Sequence, residues 1–232
     1  EPALKIIEVT TYRIEGRYTD KRHPDEVRFA NTVAEDLSRR DFTVNALALN
    51  VVKGIAGDVV DPFGGQADLK KKLIRAVGEP ARRFEEDALR LMRAVRLAVE
   101  LGFKIEKKTA AALAERAGLI EAVAKERIRD EFAKLVMAER AAAGIRALEE
   151  MGLLRYVVPE LREGIGCRQN RHHIYTVFDH NVRALDYAAS RGYSLEVRLA
   201  SLFHDIAKPR TKGGDGPNAT FYGHEYVGAR MV

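Results

Sequence analysis

The sequence predicts an α+β fold, in which a short mixed segment gives way to helices that continue to the end. Three observations carry this. Before residue 67, β-branched residues gather in short runs bounded by turn residues. After it, apolar residues recur at three- and four-residue spacing. Gly or Pro closes most of those periodic stretches, as helix ends require.

The run Leu4-Lys5-Ile6-Ile7-Glu8-Val9-Thr10-Thr11-Tyr12 reads as a strand. Glu35 to Leu49 has helical spacing. Val51-Val52 and Val59-Val60, around Gly54 and Gly57, read as a short hairpin. Asp61-Pro62-Phe63-Gly64-Gly65 is turn chemistry. Helices are then predicted over Glu85–Leu101, stopped by Gly102, and over Thr109–Ala117, stopped by Gly118. Others follow over Ile120–Met137, Ala141–Met151, Phe178–Ser190 and Leu195–Ile206, the last ended by Pro209. Pro159 with Gly164 and Gly166 marks a linker, and Lys212–Asn218 is a polar loop. The chain therefore divides into residues 1–66, 67–160 and 165–232.

Composition narrows the function classes. Hydrophobic residues are 46% and charged residues 31%, a globular balance. No apolar run approaches the roughly 20 residues of a membrane span, and the first residues carry no signal-peptide pattern. Cys167 is the one cysteine, so no internal disulfide forms and the cytoplasm is the natural compartment. A net charge of +5 and a pI near 9.3 favour a polyanionic partner. The chain begins without Met at a strand-like run and stops in a helix-like one, so it is expected to be a fragment.

The helix from Glu85 is the most informative. At ~100° per residue, Ala88, Leu91, Met92, Val95, Ala98 and Val99 make a core face. Asp87, Arg90, Arg93 and Arg96 form a band on the other side. Asp offers only acceptors and Arg only donors, so Asp87 beside Arg90 complements an amino group beside an unprotonated ring nitrogen. Cytosine and adenine present that edge; uracil and guanine present the reverse. Arg93 and Arg96 suit phosphates. Taken alone, an Asp-x-x-Arg pair is more often a solvated salt bridge.

Its company changes the reading. Arg39-Arg40-Asp41-Phe42-Thr43-Val44-Asn45-Ala46-Leu47 resembles motif B of class II tRNA nucleotidyltransferases and bacterial poly(A) polymerases. Asp61-Pro62-Phe63-Gly64-Gly65 with Asp68-Leu69 resembles motif C, and Arg83-Phe84-Glu85-Glu86-Asp87-Ala88-Leu89-Arg90 resembles motif D. Glu126-Arg127-Ile128-Arg129-Asp130-Glu131-Phe132 resembles motif E, and all four stand in the family's order. The resemblance implies a partial nucleotidyltransferase head, a helical neck and an all-helical HD-type domain. It implies Arg40 on the triphosphate, Asp41 and Asn45 near the ribose hydroxyls, and Asp87 and Arg90 as a protein template for C and A. Motif E would be structural, with Arg127 and Asp130 stabilising the neck. The partners implied are tRNA, CTP and ATP, with Mg²⁺ for transfer.

One part of the family pattern is missing. Motif A carries an Asp-x-Asp pair that holds two Mg²⁺ ions, and residues 1–232 contain no Asp-x-Asp. Glu8 matches a third acidic residue of the active site, and one carboxylate cannot do the work of three. The chain on its own is therefore expected to add no nucleotides.

A second constellation lies near the end. Phe203-His204-Asp205-Ile206-Ala207-Lys208-Pro209, with His180 upstream, resembles the HD phosphohydrolase signature. That implies a divalent cation on His180, His204 and Asp205, with His224 as a further ligand. Three functions stay open at this point: addition of C and A to tRNA, with poly(A) polymerase as a close variant; metal-dependent phosphohydrolysis; and non-catalytic RNA binding.

Overall fold

Caps and cross-chain backbone bonds, more than helix propensity, set the element boundaries in the computed structural model, which describes residues 9–15, 27–52, 55–170 and 174–232. β1 (Arg13–Glu15) pairs antiparallel with β2 (Val27–Phe29). α1 (Val33–Ser38) opens on a capping box: Thr32 Oγ1 accepts the Glu35 N–H, and the Glu35 carboxylate takes the Thr32 N–H at 3.0 Å. A 3₁₀ turn at Thr43–Asn45 leads to the hairpin of β3 (Ala48–Val52) and β4 (Ile55–Val60).

α2 (Gly65–Lys71) and β5 (Leu73–Ile74) precede α3 (Pro80–Glu86), which has Pro in its first turn. α4 (Leu89–Leu101) ends on Gly102 at φ +64° and is followed by β6 (Lys104–Ile105), which pairs in parallel with β5. Then come α5 (Lys107–Arg116), a 3₁₀ turn at Ala117–Ala122, α6 (Lys125–Met137) and α7 (Ala141–Glu150). The short α8 (Leu154–Val157) and α9 (Pro159–Arg162) lead to α10 (Val177–Ser190) and α11 (Leu195–Phe203). α12 (Lys208–Thr211) and α13 (His224–Met231) close the chain. One apolar cluster runs from Phe42 and Ile74 through α4, α6 and α7 to Leu185, Leu202 and Ile206. A smaller one joins Leu37, Ala46 and Val77.

The α+β expectation holds, and several boundaries move. The helix expected over 35–49 stops at Ser38, and its second half becomes the 3₁₀ turn and β3. There the backbone bonds go across the chain instead of along a helix. The Thr43 N–H donates to the Arg75 carbonyl at 2.9 Å and the Val77 N–H to the Asp41 carbonyl at 3.0 Å. The helix expected over 85–101 breaks at Asp87, which is extended at φ −142°, ψ 104°. Its Oδ1 accepts the Leu89 N–H at 3.1 Å, a local Asp turn that competes with the helix. The helix expected over 120–137 starts at Lys125, after extended Val123. Pro209 opens α12 where it was expected only to end a helix. Of the strand expected over 4–12, residues 4–8 lie outside the described residues, and 9–12 are not strand.

Gly64 and Gly65 seat α2 against the turn at Thr43. Gly64 takes φ +76° with open space around its Cβ position, whereas a Cβ on Gly65 would sit inside contact distance of the Thr43 carbonyl oxygen. Gly65→Ala is expected to lower stability by about 2–3 kcal/mol through backbone displacement, and Gly64→Ala by about 1–2 kcal/mol through its left-handed φ. Thermal unfolding of the two variants checks the order; equal losses would contradict it.

Candidate functional site

The turn that carries Asp41 and Asn45 is pinned from below. Thr43 Oγ1 donates to Asp68 Oδ2 at 2.7 Å, and Arg75 Nε holds the same oxygen at 2.9 Å. Above it opens a cavity of about 460 Å³ lined by Arg39, Arg40, Asp41, Asn45, Asp87, Arg90 and Arg93. Segments 39–45 and 87–93 thus meet, as the sequence reading of Arg40, Asp41, Asn45, Asp87, Arg90 and Arg93 anticipated. Arg39 was not anticipated.

Asp41 is the joint of this pocket. Its Oδ1 accepts the Phe42 N–H at 2.8 Å and the Asn45 amide at 3.1 Å. Its Oδ2 accepts Arg93 Nε at 2.8 Å and Nη2 at 2.6 Å. Burial would raise the Asp41 pKa, but the Arg93 guanidinium and these hydrogen bonds outweigh it and hold the carboxyl below its usual range. The group is therefore a carboxylate at neutral pH.

Arg90 does not lie on a solvated band. It is buried, donating Nη1 to the Arg83 carbonyl at 3.2 Å and to Glu86 at 3.1 Å, and Nη2 to the Arg39 carbonyl at 3.1 Å. Asp87 pairs with Arg127 at 3.0 Å. Arg127 thus ties α6 to the break before α4. Asp130 is exposed and meets its neighbour Arg129. The buried carboxylate of α6 is Glu131, 2.6 Å from Arg96 Nε, 3.0 Å from Lys134 and 3.9 Å from Arg93. Arg96 also binds Glu100 at 2.6 Å and does not line the cavity. Glu131 was legible in principle, because it shares the apolar stripe of Ile128, Phe132 and Leu135.

The pocket can hold a polyanion against guanidinium groups while Asp87 and Arg90 present an acceptor and a donor to a base edge. Glu8 lies outside the described residues.

The second constellation assembles at the start of α10, the end of α11 and the start of α13. His180 Nε2 and His204 Nε2 are 3.0 Å apart, and each is within 3.5 Å of Asp205 Oδ2. His224 Nε2 stands 3.4 Å from Asp205 Oδ1. His204 Nδ1 is 2.9 Å from the Ser201 carbonyl and His224 Nδ1 is 2.8 Å from the Phe221 carbonyl. A carbonyl only accepts, so both rings carry hydrogen on Nδ1 and, when neutral, aim an Nε2 lone pair at Asp205. Lys208 Nζ anchors Asp205 at 2.7 Å and Gln169 at 2.8 Å. Burial opposes ionisation of Asp205, but His204 and Lys208 carry its pKa far below the carboxylate range. The hydrogen bond to Asp205 raises the His204 pKa. The imidazoles of His180 and His204 and the ionised Asp205 fit a divalent transition cation, and His224 stands beside Asp205 outside that group of three.

Residues 2–75 match the family described as Poly A polymerase head domain, and residues 102–165 the one described as Probable RNA and SrmB- binding site of polymerase A. A CCA-adding enzyme of Limosilactobacillus fermentum is 50% identical over 157 residues, which are 68% of this chain and 38% of that protein. An A-adding tRNA nucleotidyltransferase of Deinococcus radiodurans is 41% identical over 217 residues, 90% of this chain and 49% of that protein. The crystal structure of the Bacillus stearothermophilus CCA-adding enzyme in complex with CTP matches 96% of this chain and 62% of that one, with a TM-score of 0.54 and 27% identity. The chain spans less than half the length of these two curated relatives.

Because folding lowers the Asp41 pKa, its stabilisation is complete above an unfolded-state value of about 3.9 and fades as pH falls through the folded value. Asp41→Asn is expected to cost about 2 kcal/mol at pH 7, since Arg93 is left partly buried without its partner. The deficit should shrink as pH falls below the ordinary carboxylate range. Urea unfolding across that range measures it; a deficit independent of pH would contradict the ion-pair assignment.

Proposed function

The chain belongs to the tRNA nucleotidyltransferase family, and on that premise we propose that it serves template-independent addition of C and A to the 3′ end of tRNA from CTP and ATP. The observation that carries the proposal is the arginine-walled cavity in which Asp87 and Arg90 face Asp41 and Asn45. Arg39 and Arg40 take the triphosphate, as guanidinium forks suit phosphate oxygens. Asp41 and Asn45 receive the ribose hydroxyls. Asp87 accepts from the base amino group and Arg90 donates to the ring nitrogen. The partners that hold these two side chains fix the acceptor and donor directions before a base arrives. Arg93 holds Asp41 in place, and Arg96 acts through Glu131.

Enzymes of this family work with divalent metal ions, and Mg²⁺ is the proposed ion. It supplies charge neutralisation on the triphosphate when bound. Glu8 is the one residue of this chain proposed beside it; the family's Asp-x-Asp does not occur in residues 1–232. A second reading concerns the histidine cluster, favoured by the convergence of His180, His204, Asp205 and His224. It is proposed as an HD-type site for a divalent cation, with phosphate-ester hydrolysis as its chemistry. The cytoplasm is the proposed compartment. No helix among the described residues is long and apolar enough to cross a membrane.

Equilibrium binding of the four nucleoside triphosphates tests the pocket. CTP and ATP should bind more tightly than UTP and GTP, and Arg90→Ala should weaken CTP about tenfold or more. Labelled CMP and AMP incorporation into tRNA lacking its terminal CCA, by the chain joined to a segment that carries the family's Asp-x-Asp, tests the reaction. UTP binding as tight as CTP, with no incorporation, would sink the proposal. His204→Ala should abolish binding of added Mn²⁺ or Zn²⁺ while incorporation persists.

A further inference from the structure

Six exposed lysines lie on the elements that meet around the β5–β6 pairing. Lys70 and Lys71 close α2, Lys72 follows it, Lys104 lies in β6, and Lys107 and Lys108 open α5. The parallel pairing of β5 with β6 brings the two groups together: Leu73 is opposite Lys104, and the Lys104 N–H donates to the Lys72 carbonyl at 2.9 Å. Neighbouring strands lie about 4.8 Å apart, so lysines far apart in sequence share one surface. None of the six has an ion-pair partner among the described residues. The carboxylates closest in the chain, Asp68 and Glu106, are both engaged by Arg75, at 2.9 Å and 3.6 Å.

This placement works against local stability. Lys107 and Lys108 stand in the first turn of α5, where the helix dipole disfavours cations. Lys72 is the one non-glycine residue with positive φ among the described residues, at 54°, in a C-cap position where Gly costs less. Clustered like charges repel further. A polyanion lying across the face relieves the dipole and repulsion penalties together.

The face also lies close to the pocket. Val77, whose N–H binds the Asp41 carbonyl, is five positions after Lys72, so the two are at most about 18 Å apart. We propose that Lys70, Lys71, Lys72, Lys104, Lys107 and Lys108 form a docking surface for the phosphate backbone of the RNA whose 3′ end enters the pocket. The proposal rests on the tRNA reading above. The contacts are to phosphates and carry no sequence preference, so the surface sets position and affinity while Asp87 and Arg90 set base choice.

The test is binding of tRNA lacking its CCA end to the wild-type protein and to the triple variant Lys104→Gln, Lys107→Gln, Lys108→Gln over a salt series. All three side chains are exposed; CTP affinity is a control expected to stay put, and unfolding temperature one expected to hold or rise, since the change relieves the penalties above. The variant should bind tRNA at least about tenfold more weakly at low salt, with a slope of log K against log salt smaller by about three. Replacement by Arg at the same positions should restore both. Wild type and variant with the same affinity and slope overturn the surface while leaving the tRNA reading intact. A wild-type protein that ignores tRNA but binds poly-glutamate through these lysines overturns both, and makes the face a dock for acidic protein.

Discussion

The buried pair of Asp41 and Arg93 is the constraint on which the pocket depends. It joins a 3₁₀ turn from the first segment to the middle of α4, elements that local sequence does nothing to bring together. A carboxylate this deep is tolerable only because two guanidinium nitrogens, an amide and a backbone N–H all converge on it. Removing either partner of such a pair strands the other, so the pair fixes geometry more than it adds stability. From Arg93 the charges continue to Glu131 and Arg96, which brace α4 against α6. The cavity is thus built by charged side chains that satisfy one another, with guanidinium donors to spare along its wall.

The break at Asp87 is the second constraint. A continuous helix would have pointed Asp87 along α3 and α4 together. The extended residue lets its carboxylate take the Leu89 N–H and Arg127 at once, and α4 starts afresh. Arg90 therefore sits in the first turn of α4, where the helix dipole favours negative charge.

Periodicity located α4, α5, α7 and α10 to within a few residues, because their apolar stripes are the faces that pack into the central cluster. It failed over residues 35–49 and at Asp87, where backbone or side-chain bonds to other segments outcompeted the helix. That Arg40, Asp41 and Asn45 share a cavity with α4 was legible through resemblance, and the helical band picked out Asp87, Arg90 and Arg93 of the same cavity. Arg90's burial was not legible, since a charged residue in a band of charged residues reads as solvated until its acceptors on Arg39 and Arg83 are placed. Arg96 illustrates the same limit from the other side: its helical phase matches Arg93, yet two carboxylates claim it. The lysine face was hidden for a different reason. Its two halves are more than thirty residues apart and meet only through a two-residue parallel pairing that no sequence pattern announces.

The pocket and the histidine cluster are not independent attachments. Arg198, on α11, is buried and donates to the carbonyls of Val136 and Ala138 after α6, and to those of Ala189 and Tyr193 after α10. A buried cation satisfied by four carbonyls, two from the end of α6 and two from the end of α10, has no equivalent arrangement to move to. It locks α6, whose Arg127 and Glu131 pair with Asp87 and Arg96, to the helices that carry His180 and His204. The apolar cluster runs unbroken along the same path. The fold therefore holds the histidine cluster at a fixed offset from the pocket.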